Sequence, residues 1–470
     1  RRAIDRDPSI ERYNEAKIQW TPRIKFEFTL EEGAIYTLRG PRQVGKTTLV
    51  KLLIKDHLER SDPKSVFYWT CDLITTPVEL AEKITEYLKW AREQTEGRLL
   101  IALDEISEVQ GWQRSIKYLV DTGMLRNTTL ILTGSHAIDL KKSGERLPGR
   151  RGRTGKPLNK ILLPMKFSEY VEAVDPALFE KIGVRRRDER QRILFDLIKG
   201  RIDPIVSGQL VHLEEINRLL ERYLLTGGFP RTINELASTR SIAHETYSIY
   251  LQWILGDMAK WGREERKTKQ IIRRLLETYT SQVSWYSITR HTDIGSHNTV
   301  AGYVEALEDS FVLNVVNKLD LPRQRPKYRS EKKIYFLDPF IFHSLRSWTF
   351  GFPRPFETAK EYLEEPENKS RLIEGVVHNH LARLAYGLYP TDTFHPADHV
   401  YFLKNKHEID FVLKLERLIP IEVKYRKRFD PKDVPRLGRF REGLVLTLED
   451  LARKEDRYTA LPVGMFLLLI

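Results

Sequence analysis

Residues 40–48 read Gly40-Pro41-Arg42-Gln43-Val44-Gly45-Lys46-Thr47-Thr48, and they set the fold class of the amino-terminal part of the chain. A short apolar run, residues 34–39, precedes them, and an amphipathic segment follows from Leu49. GxxxxGK[ST] between a strand and a helix predicts a P-loop, whose backbone N–H groups surround the phosphates of ATP. We expect all nine residues to contact the nucleotide. Lys46 should reach the terminal phosphates, and the Thr47 hydroxyl should bind Mg²⁺.

Two further strand ends complete the predicted nucleotide site. The apolar run 99–103 ends in Asp104 and Glu105, and another apolar run ends in Thr133, with Ser135 two residues later. Parallel strands present their carboxyl ends at one edge of the sheet, where ligands bind. We expect Asp104 to contact the nucleotide and its magnesium shell, and Glu105 to activate the attacking water, which favours hydrolysis over transfer to another molecule. One hydroxyl could sense the terminal phosphate, with Ser135 slightly preferred to Thr133.

Length and composition limit the remaining possibilities. A chain of 470 residues is long enough for about three domains. The single cysteine, Cys71, excludes an internal disulfide and a multi-cysteine metal site, which points to a reducing cytoplasm. The sequence contains no apolar run near the roughly 20 residues of a membrane span. The longest apolar run, residues 465–470, is expected to be a strand.

The net charge of +13 is concentrated in three basic segments. They lie within residues 141–160, within residues 323–333, and at Lys424, Arg426, Lys427 and Arg428. Such runs favour polyanions through phosphate contacts and counterion release, although a solvated, salt-bridged surface has the same composition. Because each run lies beside a motif described here, we expect DNA, duplex or branched, as the partner.

The middle of the chain reads as helices followed by a winged helix. Two helical segments (269–279 and 286–291), a turn (293–296) and a third helix (297–307) come first. Two strands (311–316 and 334–337) follow and flank the second basic run. In a winged helix, His297, Asn298 and Thr299 would face the major groove and the basic run would contact the DNA backbone. A winged helix used only for packing or protein contacts fits the same pattern.

Acidic residues near the end of the chain suggest a second magnesium site. Glu374 lies on a predicted helix over residues 368–384, and Asp410 and Glu422-Val423-Lys424 lie on two predicted strands that could form a hairpin. Two carboxylates beside a lysine can hold Mg²⁺ while the lysine polarises a water. This spacing is weak by itself, and a hairpin with surface charges has the same spacing. His378 and His380 are expected to be packing or surface residues.

Several of these motifs together resemble one family. GPRQVGKTTL, LLIALDE, TLILTGS, LPGRRGR, PMKFSEY and YLLTGGFP are similar to stretches of the AAA+-type predicted ATPases of archaea and bacteria. The resemblance implies a helical lid, a winged helix and a tail of the PD-(D/E)xK nuclease fold, although Ile409 replaces the proline of that motif. It makes Arg150 the expected arginine finger, supplied by a neighbouring subunit or domain, with Arg151 and Arg153 as alternatives.

The expected architecture is therefore α/β, with a P-loop AAA+-type parallel sheet, a helical lid, a winged helix and a C-terminal α/β PD-(D/E)xK-like domain. The expected segments are the ATPase (1–165), the lid (166–262), the winged helix (263–348) and the tail (358–470). The expected function is ATP hydrolysis coupled to DNA binding, with Asp410, Glu422 and Lys424 as catalytic residues of a Mg²⁺-dependent nuclease that uses Glu374, Asp410 and Glu422 as metal ligands. The alternative is a nucleotide-dependent switch whose inactive tail docks DNA or a protein.

Overall fold

The computed structural model describes residues 2–134, 157–183, 186–391, 394–404, 408–430, 440–454 and 458–470. The chain divides into two compact units. The first comprises Arg1–Leu163 with two short pieces, Asp309–Phe311 and Pro390–Thr393. The second comprises Pro164–Glu308, Val312–Tyr389 and Phe394–Ile470.

A five-stranded parallel sheet forms the centre of the first unit. Its spatial order is β2-β3-β4-β1-β5, and every neighbouring pair is parallel. The strands are β1 (Ile35–Arg39), β2 (Val66–Thr70), β3 (Leu99–Asp104), β4 (Thr128–Thr133) and β5 (Asn159–Ile161). All residues of β1, β3 and β4 are buried, as expected for strands covered on both faces. The three predicted apolar strands and the parallel P-loop sheet are confirmed.

In its described residues, the first unit has two α-helices before β1 and one α-helix after each of β1, β2 and β3. They are α1 (Arg2–Asp5), α2 (Pro8–Glu15), α3 (Lys46–Leu58), α4 (Pro77–Gln94) and α5 (Trp112–Asp121). The P-loop connects the carboxyl end of β1 to the amino end of α3, and Asp104 and Thr133 end β3 and β4. Parallel strands therefore bring these three segments to the same edge of the sheet.

One mixed sheet runs through the second unit. Its strands are β6 (Leu313–Asp320), β7 (Arg325–Pro326), β8 (Lys332–Phe336), β9 (Val400–Lys404), β10 (Glu408–Lys414), β11 (Leu418–Val423), β12 (Gly443–Thr447), β13 (Ala452–Lys454) and β14 (Tyr458–Pro462). The order is β13-β14-β12-β11-β10-β9-β6-β7, and β8 pairs with β6. Because β6 pairs with β9 in parallel, the strands expected in a winged helix and those expected in the tail belong to one sheet.

Helices precede, connect and follow these strands. They are α6 (Phe167–Val174), α7 (Pro176–Ile182), α8 (Arg187–Ile198), α9 (Pro204–Gly208), α10 (Leu213–Thr226), α11 (Pro230–Thr239), α12 (His244–Lys260), α13 (Glu265–Glu277), α14 (Trp285–Thr289), α15 (His297–Asp309), α16 (Pro339–Phe350), α17 (Pro355–Glu364), α18 (Pro366–Leu388) and α19 (Val463–Leu469). The predicted helices over 269–279, 286–291, 297–307 and 368–384 correspond to α13, α14, α15 and α18.

The strand expected over residues 465–470 is wrong. These residues lie in or directly after α19, which begins after Pro462 and is entirely buried. An apolar run without alternation indicates burial but does not distinguish a strand from a buried helix. Here α19 packs against α6, α8 and α10, so apolar side chains are needed all around it.

Two consecutive glycines in the segment YLLTGGFP fit a tightly packed turn. Gly227 has φ 59°, and a Cβ there would lie 1.7 Å from Asp338 Oδ1. A Cβ on Gly228 would lie 2.1 Å from the backbone oxygen of Met165. The Gly228 N–H donates to Asp338 Oδ2 at 2.8 Å, and burial raises the pKa of Asp338 to about 6. These contacts give the motif a structural role within the second unit.

Candidate functional site

The P-loop has the backbone conformation that an anion-binding loop requires. Gly45 is left-handed, with φ 100°, and α3 begins at the next residue. The first N–H groups of a helix have no partners within it, so they are available to a phosphate. Gly40 has φ 155°, and a Cβ there would lie 2.0 Å from the backbone oxygen of Leu162. Only glycine therefore fits at the start of the loop.

Lys46 points back into the loop. Its side chain is buried, and Nζ donates to the backbone oxygens of Gly40 and Pro41, each at 3.0 Å. A lysine ammonium has three donors, and these loop carbonyls hold it near the positive end of α3. The ammonium can exchange these carbonyls for phosphate oxygens when a nucleotide enters.

Asp104 is the centre of a hydroxyl network at the same edge of the sheet. This residue is 3% exposed. Its Oδ2 accepts from Thr47 Oγ1 at 2.7 Å and from Tyr68 OH at 2.9 Å, and its Oδ1 accepts from Thr133 Oγ1. The two residues expected to hold Mg²⁺, Thr47 and Asp104, are thus in direct contact. Burial, with the nearby Asp104 charge, raises the pKa of Tyr68.

Glu105 adopts a conformation that is uncommon for a residue with a side chain. Its φ is 52°, in the left-handed region, and its backbone N–H donates to Thr133 Oγ1 at 3.2 Å. Left-handed non-glycine residues are enriched at functional sites, where the surroundings enforce the conformation. The left-handed backbone at Glu105 therefore gives its side chain a different direction from that of the adjacent Asp104. The expected sensor Ser135 and the expected finger Arg150 lie outside the described residues, as do Arg151 and Arg153.

The acidic residues of the tail also come together. β10 and β11 form the expected antiparallel hairpin. Lys424 Nζ lies 2.9 Å from Glu422 Oε1 and 3.4 Å from Asp410 Oδ2. The Asp410 N–H donates to Glu422 Oε2 at 3.2 Å, and the Val423 N–H donates to Asp410 Oδ2 at 2.9 Å. Hydrogen bonds and ion pairs within the hairpin thus hold Asp410, Glu422 and Lys424 together.

A second lysine enters this group from β8. Lys333 Nζ lies 3.0 Å from Glu374 Oε1, 2.5 Å from Glu408 Oε1 and 3.8 Å from Asp410 Oδ1. We call Lys333, Glu374, Glu408, Asp410, Glu422 and Lys424 the carboxylate cluster. Lys333 was counted among the cations of the second basic run, and its assignment to a DNA-facing surface is wrong because it is 1% exposed.

Burial shifts the protonation of the cluster. It raises the pKa of Glu422 to about 7, assisted by the neighbouring Asp410 and opposed by Lys424. It also raises the pKa of Glu374, where the Lys333 charge opposes the shift. Burial alone would lower the pKa of Lys333, but the surrounding carboxylates outweigh it and raise that pKa. Lys333 is therefore charged at neutral pH.

The two histidines of α18 are packing residues, as expected. The His378 ring stacks on Tyr335, with centroids 4.9 Å apart. His380 Nε2 accepts the N–H of Phe167 at 2.8 Å, and its Nδ1 lies 2.8 Å from the backbone oxygen of Val376. Burial lowers the pKa of both imidazoles, so they remain neutral.

Three family models match successive parts of the chain. Residues 32–171 match the model described as AAA domain. The chain is an ATPase that carries an AAA domain. Residues 217–350 and 369–466 match two models described as domains of unknown function, DUF8612 and DUF4143. No curated protein sequence matches the ATPase.

Solved structures similar to the ATPase include proteins from archaea and bacteria. The Walker-type ATPase PABY2304 of Pyrococcus abyssi is 16% identical, with TM-score 0.42, over 68% of this chain and 93% of that one. The ORC1 protein of Aeropyrum pernix, solved with DNA, is 12% identical, with TM-score 0.31, over 72% and 92%. Thermotoga maritima RuvB, a Holliday junction branch migration motor, is 15% identical, with TM-score 0.24, over 62% and 84%.

The part of the chain that the structure describes lacks two further features. Within the described residues, no group of three or more His, Cys, Asp or Glu side chains is arranged to hold a metal ion. None of the helices in those residues combines the length and apolar character needed to cross a membrane.

The sequence did not point to four residues of these two sites, namely Tyr68, Lys333, Tyr335 and Glu408. Alternation along strands could have identified three of them. Lys333 and Tyr335 are two apart on β8, and Glu408 precedes Asp410 by two on β10, so each pair shares a face of the sheet. Tyr68 carries no such signal, because its role depends on the pairing of β2 with β3.

Proposed function

We propose that this protein is an ATP-hydrolysing, DNA-binding AAA-type protein in which the nucleotide state controls the grip on DNA. Residues 40–48 bind the phosphates, and Lys46 neutralises the charge that develops on the transferring group. Glu105 orients the attacking water and accepts its proton. Arg150 supplies the finger from a neighbouring copy in a homo-oligomer, and Ser135 senses the terminal phosphate. The chain acts in the cytoplasm as four segments, 1–165, 166–262, 263–348 and 358–470.

Magnesium fits the oxygen donors at the P-loop. Thr47 Oγ1 and Asp104 Oδ2 are 2.7 Å apart, and a hydroxyl and a carboxylate are hard ligands of the kind this ion prefers. When bound, Mg²⁺ would offset the charge of the phosphates. Asp104 orients the Thr47 hydroxyl in advance, and Thr133 fixes the Asp104 carboxylate from its other oxygen.

Exposed cations next to α15 support DNA as the partner. Arg323, Arg325, Lys327 and Arg329 are exposed between β6 and β8, around the two-residue strand β7. His297 and Asn298 are exposed at the start of α15. The order of helices α13, α14 and α15 followed by the β6–β8 hairpin supports a winged helix, whose hairpin would contact phosphates.

A DNA-binding panel tests this proposal. The Glu105→Gln variant with Mg²⁺ and ATP should bind duplex, forked or single-stranded DNA, measured by fluorescence anisotropy across a salt series. Each exposed cation that contacts phosphate adds about 0.9 to the slope of log K against log salt. Replacing Arg325 and Arg329 by alanine should therefore reduce that slope by about 2.

The matched control replaces Arg60 and Lys64 by alanine. Both residues are exposed on the first unit, and their loss should leave the slope of log K against log salt unchanged. If none of the DNA forms binds at moderate salt, DNA is not the partner. If both double variants behave alike, the cations between β6 and β8 do not contact DNA and the winged-helix interface is wrong.

A second candidate function is a nucleotide-dependent switch whose tail docks a partner without cleaving DNA. The observation that favours it is Lys333, whose ammonium lies among the carboxylates that a nuclease would use for metal. Incubation of labelled DNA with the ATPase and Mg²⁺ or Mn²⁺ tests whether the tail cleaves DNA. Cleavage that is lost in Lys424→Ala would exclude the docking tail.

A further inference from the structure

The centre of the carboxylate cluster is filled by a cation that belongs to the chain. Three carboxylate oxygens, from Glu374, Glu408 and Asp410, lie 3.0, 2.5 and 3.8 Å from Lys333 Nζ. An ammonium has three N–H donors and no acceptor; Glu374 and Glu408 lie at hydrogen-bond distance, and Asp410 adds a longer electrostatic contact. Because Lys333 is 1% exposed, its ammonium is shielded from water and from salt.

Other donors complete the coordination of these carboxylates. Glu374 Oε1 also accepts from Tyr335 OH at 2.6 Å, and Glu408 Oε2 accepts from the Gln282 amide. Asp410 Oδ2 accepts the Val423 N–H and faces Lys424. Each of the three carboxylates therefore has at least one oxygen that accepts a hydrogen bond from another donor of the protein.

A divalent metal does not fit this arrangement. Mg²⁺ binds oxygen at about 2.0–2.1 Å, so an ion bound by Glu374, Glu408 and Asp410 together would lie between them, where Lys333 Nζ lies. The repulsion between a divalent ion and an ammonium is strong in a buried site. Glu374 and Asp410, which the sequence suggested as metal ligands, already bind this lysine.

We propose that Lys333 is a built-in counter-ion that takes the place of a divalent cation, so that the tail contains a latent metal site which opens only when this side chain is removed. The cation class that the vacated site would accept is a hard, oxygen-binding ion such as Mg²⁺ or Mn²⁺. This inference does not depend on DNA binding, and a DNA-free measurement tests it.

The neighbouring lysine on β8 provides a matched control. Lys332 Nζ donates to the backbone oxygens of Tyr328 and Ser330 and lies over the Trp285 ring, 5.2 Å from its centroid. Successive residues of a strand point to opposite faces, so Lys332 is directed away from the cluster. Lys332→Met and Lys333→Met therefore remove the same charge from the same strand, but only one of them vacates the cluster.

The test measures Mn²⁺ binding to the full chain without nucleotide, and the electron paramagnetic resonance signal of the free ion reports how much Mn²⁺ remains unbound. Lys333→Met should bind one more Mn²⁺ per chain than the wild type, and Lys332→Met should not. Mn²⁺ should also raise the melting temperature of Lys333→Met more than that of the wild type. Equal Mn²⁺ counts in wild type and a folded Lys333→Met would overturn the proposal.

A second measurement, which keeps Lys333 in place, tests the proposal even if Lys333→Met fails to fold. Glu374→Gln in the wild-type background should leave the Mn²⁺ count unchanged, because the cluster holds no metal. A lower count in Glu374→Gln, or DNA cleavage by the wild type that Asp410→Asn abolishes, would show that the cluster binds metal and would end the proposal.

Discussion

Replacing Asp104 by asparagine should separate folding from magnesium binding at the P-loop. Asparagine keeps the shape of the side chain, and the hydroxyls of Thr47 and Tyr68 can accept from its amide instead of donating. Without nucleotide the change should therefore cost only about 1–2 kcal/mol. Deleting the acceptor altogether, in Asp104→Ala, should cost more, about 1–3 kcal/mol for each buried hydroxyl that is left without a partner.

Asp104→Asn should also reduce the stabilisation that ATP and Mg²⁺ give to the folded protein. A ligand at 100 times its dissociation constant stabilises the folded state by about 2.7 kcal/mol. If losing the carboxylate weakens Mg²⁺-dependent binding by about 10–100-fold, the same ligand concentration contributes only about 0.4–1.4 kcal/mol. For a unit of this size the difference corresponds to a melting temperature about 3–9 °C lower.

The assay is thermal unfolding in the Glu105→Gln background, where ATP is not consumed. Asp104→Asn and its parent are compared without nucleotide, with ATP and EDTA, and with ATP and Mg²⁺. Tyr68→Phe is the control, because it removes one hydrogen bond to Asp104 and keeps the carboxylate. An Mg²⁺-dependent gain in Asp104→Asn equal to that of its parent would contradict the assignment of Asp104 to the magnesium shell.

Three further outcomes are expected. Lys46→Ala should abolish ATP hydrolysis and weaken ATP binding at least tenfold in equilibrium dialysis. Its circular dichroism should be unchanged, since without nucleotide Lys46 bonds only to two loop carbonyls. Normal turnover would contradict the role of Lys46. Gly228→Ala should destabilise the second unit by at least about 1–3 kcal/mol in urea, because its Cβ would overlap Met165, whereas Gly208→Ala has open space and should not. Cys71 is buried, and burial with nearby acidic residues raises the pKa of its thiol to about 12. The thiol should therefore react with a thiol reagent only after unfolding, and rapid labelling of the folded chain would contradict this. Because the unfolded chain loses this proton first, stability should fall as the pH rises above 9.0, the ordinary pKa of the thiol.

The nucleotide site could be predicted from sequence because its parts are local. The P-loop conformation depends on Gly40 and Gly45, and the meeting of Asp104 with Thr47 follows from the rule that parallel strands end at one edge. The fold of the acidic hairpin was equally accessible, since Asp410 and Glu422 are close in the chain. These expectations needed no knowledge of distant pairings.

The remaining features depend on contacts between segments far apart in sequence. β6 pairs with β9 through Asn317 and Tyr401, and no local pattern specifies that pairing. Lys333 looked like a surface cation because counting charges ignores the alternation along β8. The helix at residues 463–469 looked like a strand because burial on all sides removes the periodicity that distinguishes the two.

The position of Lys333 has a consequence for the fidelity of folding. β8 pairs with β6 in a register that places Val316 opposite Lys333 and Asn314 opposite Tyr335. A slip of one residue in either direction would bring Ile334 to one of the two positions that donate to Glu374, leaving that buried carboxylate with a missing donor beside an apolar side chain. The slip that puts Ile334 in place of Lys333 removes the cation from the carboxylates, and the opposite slip removes the Tyr335 hydroxyl, so these two donors favour the native register over both neighbours.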